Sequence, residues 1–200
     1  MTPRRALVVF AVAAVVGCHH RPPPAHAPAP APPRQPAREV CDNCLDDDGD
    51  GRVDFEDSDC CPHPAALEGT TLIVAPGEHP EDSDLFTLTT RVPAGAFTEP
   101  NPYVDDVTLQ LRVGQREVGC AAIGHQFWRK TGQTYRFHPH AGHTRDLPET
   151  FVRVLPNGAV AVHATGMRKG LARLADAEWE VTVRIGDGCA SGRTRPSGRH

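Results

Sequence analysis

The chain has little of what most enzymes use. It has only four serines, Ser58, Ser83, Ser191 and Ser197, and none follows a strand-like run as a nucleophile elbow requires. No HExxH pair and no glycine-rich phosphate loop occurs anywhere in the 200 residues. Aromatic residues make up 6% of the chain. The formal net charge of -4 argues against a nucleic-acid partner, which calls for a basic face. Long hydrophobic runs are missing too. The longest, residues 6–17, is twelve residues of ALVVFAVAAVVG, whereas a membrane-spanning helix needs about 20.

That short run is nevertheless informative. Arg4 and Arg5 precede it, and it ends in Val15-Val16-Gly17-Cys18. A positive start, a short apolar stretch and small residues before a cut site form an export signal. The VVGC ending resembles the lipobox of bacterial lipoproteins. The resemblance implies removal of residues 1–17, lipidation of Cys18 and attachment to a membrane from its extracytoplasmic side. His19 stands where an aspartate would imply inner-membrane retention, which favours the outer membrane over the inner. The Arg4-Arg5 pair permits twin-arginine export and is equally ordinary in other signals.

Residues 21–38 contain eight prolines and five alanines. Such a stretch buries no core, so residues 18–38 read as a lipidated cysteine with a polyproline-like tether. At about 3.1 Å per residue the tether spans roughly 50 Å.

Export sets the cysteine chemistry. Beyond Cys18 there are Cys41, Cys44, Cys60, Cys61, Cys120 and Cys189, an even number that reads as three disulfides in an oxidising compartment. The pairing among Cys41, Cys44, Cys60 and Cys61 is open, with pairing across the acidic loop expected. A Cys120–Cys189 bridge is expected to staple the last strand to the middle of the sheet.

Residues 39–61 form an acidic segment between cysteines, with nine acids in 42–59. From Asp46, the residues Asp46, Asp48, Asp50, Gly51, Val53, Asp54 and Asp57 occupy positions 1, 3, 5, 6, 8, 9 and 12 of a twelve-residue calcium loop. Calcium takes six to eight oxygens, and alternating aspartates offer them from one side of a turn that the glycine permits. The candidate ligands are Asp46, Asp48, Asp50, the backbone carbonyl of Arg52, Asp54 and Asp57. Position 12 is aspartate instead of glutamate, with a shorter reach, and Glu56 and Asp59 are nearby substitutes. Prolines on both sides exclude a helix–loop–helix hand. The segment resembles a thrombospondin type 3 repeat and, less closely, a dockerin loop, and is similar to a cysteine-flanked acidic motif of Gram-negative surface proteins. These resemblances imply a structural calcium ion. Two plainer readings compete: a merely solvated acidic face, and a zinc site made by the four clustered cysteines.

Residues 62–190 read as strands. Val107–Val113 and Trp179–Ile185 alternate apolar and polar residues, the mark of a strand with one face buried. Thr71–Ala75, Leu85–Val92, Glu117–Ile123, Thr134–Phe137, Thr150–Leu155 and Ala159–His163 follow suit, with Asn157-Gly158 as a two-residue hairpin signal and a short helix within Gly170–Glu178. The expected fold is all-β: an antiparallel sandwich or partly open barrel, followed by a disordered tail at 191–200. Trp128 and Trp179 are expected in the core.

The expected function is that of an anchored, calcium-stabilised binding or structural module, not an enzyme, whose protein or glycan ligand is unknown. One alternative is a metal-dependent envelope hydrolase using His138, His140 and His143, with His125 upstream; surface histidines are the plainer reading of that group. A second alternative is an envelope assembly or chaperone component.

Overall fold

The computed structural model describes residues 39–41, 43–49, 53–54, 60–79, 82–139, 147 and 149–198. The expected signal, Cys18 and the expected tether lie outside them. All the described residues fall in one compact unit.

Alternation of apolar and polar residues dictates the architecture. Strands β1 (Ala65–Ala66), β2 (Glu68–Ala75), β3 (Asp84–Val92), β4 (Val107–Val113), β5 (Arg116–Ile123) and β6 (Trp128–Thr131) come first. Then come β7 (Thr134–Phe137), β8 (Glu149–Val154), β9 (Val160–Arg168), β10 (Trp179–Ile185), β11 (Gly188–Thr194) and β12 (Ser197–Gly198). They form a five-stranded sheet ordered β1-β11-β10-β4-β5 and a seven-stranded sheet ordered β12-β2-β3-β9-β8-β7-β6. All pairings are antiparallel except β1 with β11 and β12 with β2. The two sheets pack face to face as an open sandwich, not a closed barrel.

Between the sheets lie Leu72, Val74, Leu88, Leu109, Val152, Val162, Val181 and Val183, each at most 5% exposed. Trp128 and Trp179 are fully buried, as expected of core residues. The Trp179 indole N–H donates to the Leu174 carbonyl at 2.9 Å, which satisfies its one polar atom.

All eight expected strands are present. The β8–β9 connection is a hairpin, but its turn has three residues: the Leu155 amide donates to the Ala159 carbonyl, leaving Pro156, Asn157 and Gly158 to turn the chain. Gly158 carries the positive φ of 81° that such a turn needs. The expected helix shrinks to one 3-10 turn at Ala172–Leu174.

The tail at 191–200 needs correction. Residues 191–194 finish β11, and 197–198 form β12 against β2. Polar, alternation-free sequence hid these strands. Their order comes from backbone hydrogen bonds to edges already present, which need no apolar side chains.

Candidate metal centre

On the five-stranded sheet, residues pointing away from the core ought to meet water. Thr108, Gln110 and Thr182 occupy such positions yet are at most 4% exposed. Described residues of the acidic segment, among them Cys41 and Val53, reach this face. The Gln110 side-chain amide donates to the Val53 carbonyl at 3.1 Å and to Glu117 Oε2 at 3.2 Å. Arg184 donates from Nη1 to the Cys41 carbonyl at 2.8 Å.

The disulfides complete the attachment. Cys41 bonds Cys60, Cys44 bonds Cys120, and Cys61 bonds Cys189. The expected Cys120–Cys189 bridge is therefore corrected. Cys120 is on β5 and Cys189 on β11, with β4 and β10 between them. Three strand spacings separate them by about 14 Å, and a disulfide tolerates no more than about 7 Å between Cα atoms. Both cysteines instead point outward from the same sheet face, where the N-terminal segment meets them. Since all six sulfurs are paired, no thiolate cluster remains to hold zinc. The Cys41–Cys60 bond closes the acidic segment on itself, and Cys44–Cys120 and Cys61–Cys189 fasten it to the sandwich.

Within this segment, Glu39 is the organising residue, and it is only 5% exposed. Its Oε2 accepts the Asp47 amide at 3.0 Å and its Oε1 the Asp54 amide at 2.9 Å, pulling both ends of the acidic run together. Asn43 tightens the turn: its Nδ2 donates to Asp47 Oδ2 at 2.7 Å and its Oδ1 accepts the Leu45 amide at 2.9 Å. Asp46 Oδ1 accepts the Gly49 amide at 2.7 Å.

One consequence is that carboxylate oxygens of Glu39, Asp46 and Asp48 lie within 4.8 Å of one another. Calcium–oxygen distances are about 2.3–2.6 Å, so two oxygens across one ion stand at most about 5 Å apart. These three hard anionic donors fit a calcium ion in both spacing and chemistry. The structure thus brings together two of the sequence-derived ligands, Asp46 and Asp48, and adds Glu39. The signal for Glu39 was weak: it lies seven residues before the loop register begins, as the lone acid ahead of Cys41.

Asp54 is placed differently. It is fully buried, with a backbone φ of 47°, and its carboxylate faces the Asn43 amide at 3.3 Å and the Cys120 sulfur at 3.4 Å. Burial, helped by the nearby charges of Glu39 and Glu117, raises its pKa to about 6 against the opposing pull of the Asn43 and Cys44 amides. Asp54 stands outside the converging trio. Asp50, Arg52 and Asp57 lie outside the described residues, as do His140 and His143.

Of the other histidines, His138 is exposed at the end of β7, and its amide donates to the Phe127 carbonyl at 3.0 Å. His125 reaches Asp106 Oδ1 through both its amide (2.7 Å) and its Nδ1 (3.0 Å) on an open surface.

Comparison of the chain with protein-family models, with curated proteins and with solved structures gives no match.

Proposed function

We propose that the protein is a lipid-anchored, extracytoplasmic binding or structural module whose acidic layer takes up a structural calcium ion. The observation that carries this reading is the convergence of Glu39, Asp46 and Asp48 on a segment fastened to the sandwich by disulfides. Three disulfides support an oxidising compartment, and an oxidising compartment agrees with the VVGC lipobox. Extracellular calcium modules bind at about 10⁻⁴–10⁻³ M, an affinity that keeps the site filled outside the cell. An ion there cancels repulsion among the acids and stiffens the junction between tether and sandwich.

Calorimetric titration of the chelator-stripped protein with calcium tests the reading. We expect one ion per chain at sub-millimolar to millimolar affinity, weakened at least tenfold by Glu39→Gln and by Asp48→Asn. Unchanged binding in both variants, or no binding by the native protein, would refute the calcium site. The anchor has its own test. Cys18→Ala is expected to move the protein from the membrane fraction to the soluble one, and native-like membrane fractionation of that variant would rule out lipidation there.

A further inference from the structure

The outer face of the seven-stranded sheet is uncovered among the described residues, and its side chains follow from the strand register. Directly opposed residues share a face, so Arg129, Arg136, Phe151, His163, Thr89 and Thr71 form one row across six strands. At about 4.8 Å per strand this row is roughly 24 Å long. The adjacent row runs Thr134, Arg153, Ala161, Arg91 and Glu68.

The first row is already organised. The Arg136 guanidinium lies 4.4 Å from the centre of the Phe151 ring, and His163 stacks on the other side with ring centres 5.5 Å apart. Hydroxyls of Thr89 and Thr165 stand 3.2 and 3.5 Å from the two ring nitrogens of His163. The second row holds an unbalanced feature. Arg91 and Arg153 flank Ala161 on the strands either side of it, both exposed, and neither guanidinium has a hydrogen bond or ion pair with a described residue. The small side chain of Ala161 leaves a dip between them. On the Arg91 side of Ala161 a concavity of about 370 Å³ opens, lined by Glu68, Gly69, Thr89, Thr90, Arg91 and Ala161, while Arg153 stands across Ala161 on β8.

Two guanidiniums held either side of an alanine call for an anion, because each offers a planar fork matched to an oxyanion. The charge on this face is sparse. Its four arginines face two carboxylates, Glu68 and Glu149, the latter 3.6 Å from Arg136. A small positive excess spread along hydroxyls and rings complements a chain with one negative charge per sugar and many hydroxyls, more than a densely phosphorylated one. We propose that this face binds a linear, carboxylate-bearing polysaccharide, with Arg91 and Arg153 clamping one carboxylate above Ala161. The chain lies across the strands along the Arg136–Phe151–His163 row, and Glu68 accepts from a sugar hydroxyl. This assignment rests on the binding-module reading and supplies its ligand class.

The test uses the mature protein in neutral detergent without calcium, which would gel the probe, and sodium alginate as the probe. We expect alginate binding that weakens as salt is raised, with no binding to dextran. Arg91→Gln/Arg153→Gln should weaken it at least tenfold. Ala161→Glu, which puts a negative charge on an exposed strand face without touching the core, should do the same. Arg116→Gln, exposed on β5 of the five-stranded sheet, should leave it unchanged. Absence of alginate binding, equal loss in the Arg116 control, or tighter binding to phosphatidylglycerol vesicles than to alginate would each overturn the proposal. So would self-association abolished by Arg91→Gln/Arg153→Gln, since the face would then serve a second copy of the chain. Calcium titration of alginate-free samples separates the two claims: intact calcium binding without alginate binding removes only the ligand class.

Discussion

Replacing Cys61 and Cys189 together by serine is expected to destabilise the protein by about 5 kcal/mol. The bridge joins residues 128 apart, the longest loop closed by any of the three disulfides. In the chain-entropy account, a loop of about 100 residues is worth about 4.7 kcal/mol, through the freedom denied to the unfolded chain. Domains of this size hold only about 5–15 kcal/mol in total, so the loss is a third or more. The native state also leans on this bridge. Strand β1 pairs with β11 over only two residues, Ala65 and Ala66, with one further bond from the Leu67 amide to the Ser191 carbonyl. Without Cys61–Cys189 the edge of the five-stranded sheet should fray before the rest unfolds. Urea titration followed by circular dichroism, without reductant, measures the effect. A change below about 1 kcal/mol would show that the constraint contributes little. The other two bridges close 19 and 76 residues and should matter less than this one, the 76-residue closure more than the 19-residue one.

Asp54→Asn is expected to raise the stability of the calcium-free protein at pH 7 by up to about 3 kcal/mol, since its carboxyl titrates near 6 when folded and about 4 when unfolded. The sign follows from proton counting. Between pH 4 and pH 6 the folded state holds a proton on Asp54 that the unfolded state has released, so stability falls as pH rises through this window. Below pH 4 both states are protonated and the residue makes no difference. Above pH 6 the full cost of an ionised, buried carboxylate is present. Asparagine keeps an oxygen to accept the Asn43 amide and cannot ionise, so the variant should lose this fall in stability. Thermal or urea unfolding from pH 4 to pH 8, in chelator, measures both curves. Parallel curves for the two proteins would show that Asp54 ionises as freely in the folded chain as outside it. Calcium at Glu39, Asp46 and Asp48 should flatten the native curve as well, because a nearby cation favours the ionised form.

The strands were legible because their pattern is local. Val107–Val113 and Trp179–Ile185 alternate without a break, and burial of one face suffices to define them. Trp128–Thr131 and Gly188–Thr194 were missed because their sequences, WRKT and GCASGRT, lack alternation. What orders them is hydrogen bonding to β7 and β10. In the acidic layer, the spacing of Asp46 and Asp48 was enough to mark them as candidate ligands. Glu39 could be identified only from its position in space, where it accepts the Asp47 and Asp54 amides.

From the sequence alone came an all-β chain, a short apolar run ending at Cys18 that reads as an export signal, an acidic calcium-like spacing and six further cysteines in even number. Each of these is written in residues close together along the chain. Tertiary structure alone decided the partner of every cysteine, the meeting of the acidic segment with the face that carries Thr108, Gln110 and Thr182, and the flanking of Ala161 by Arg91 and Arg153. The reason is strand order: β11, β10, β4 and β5 lie side by side although about 60 residues separate β5 from β10, and no local pattern records which strands become neighbours.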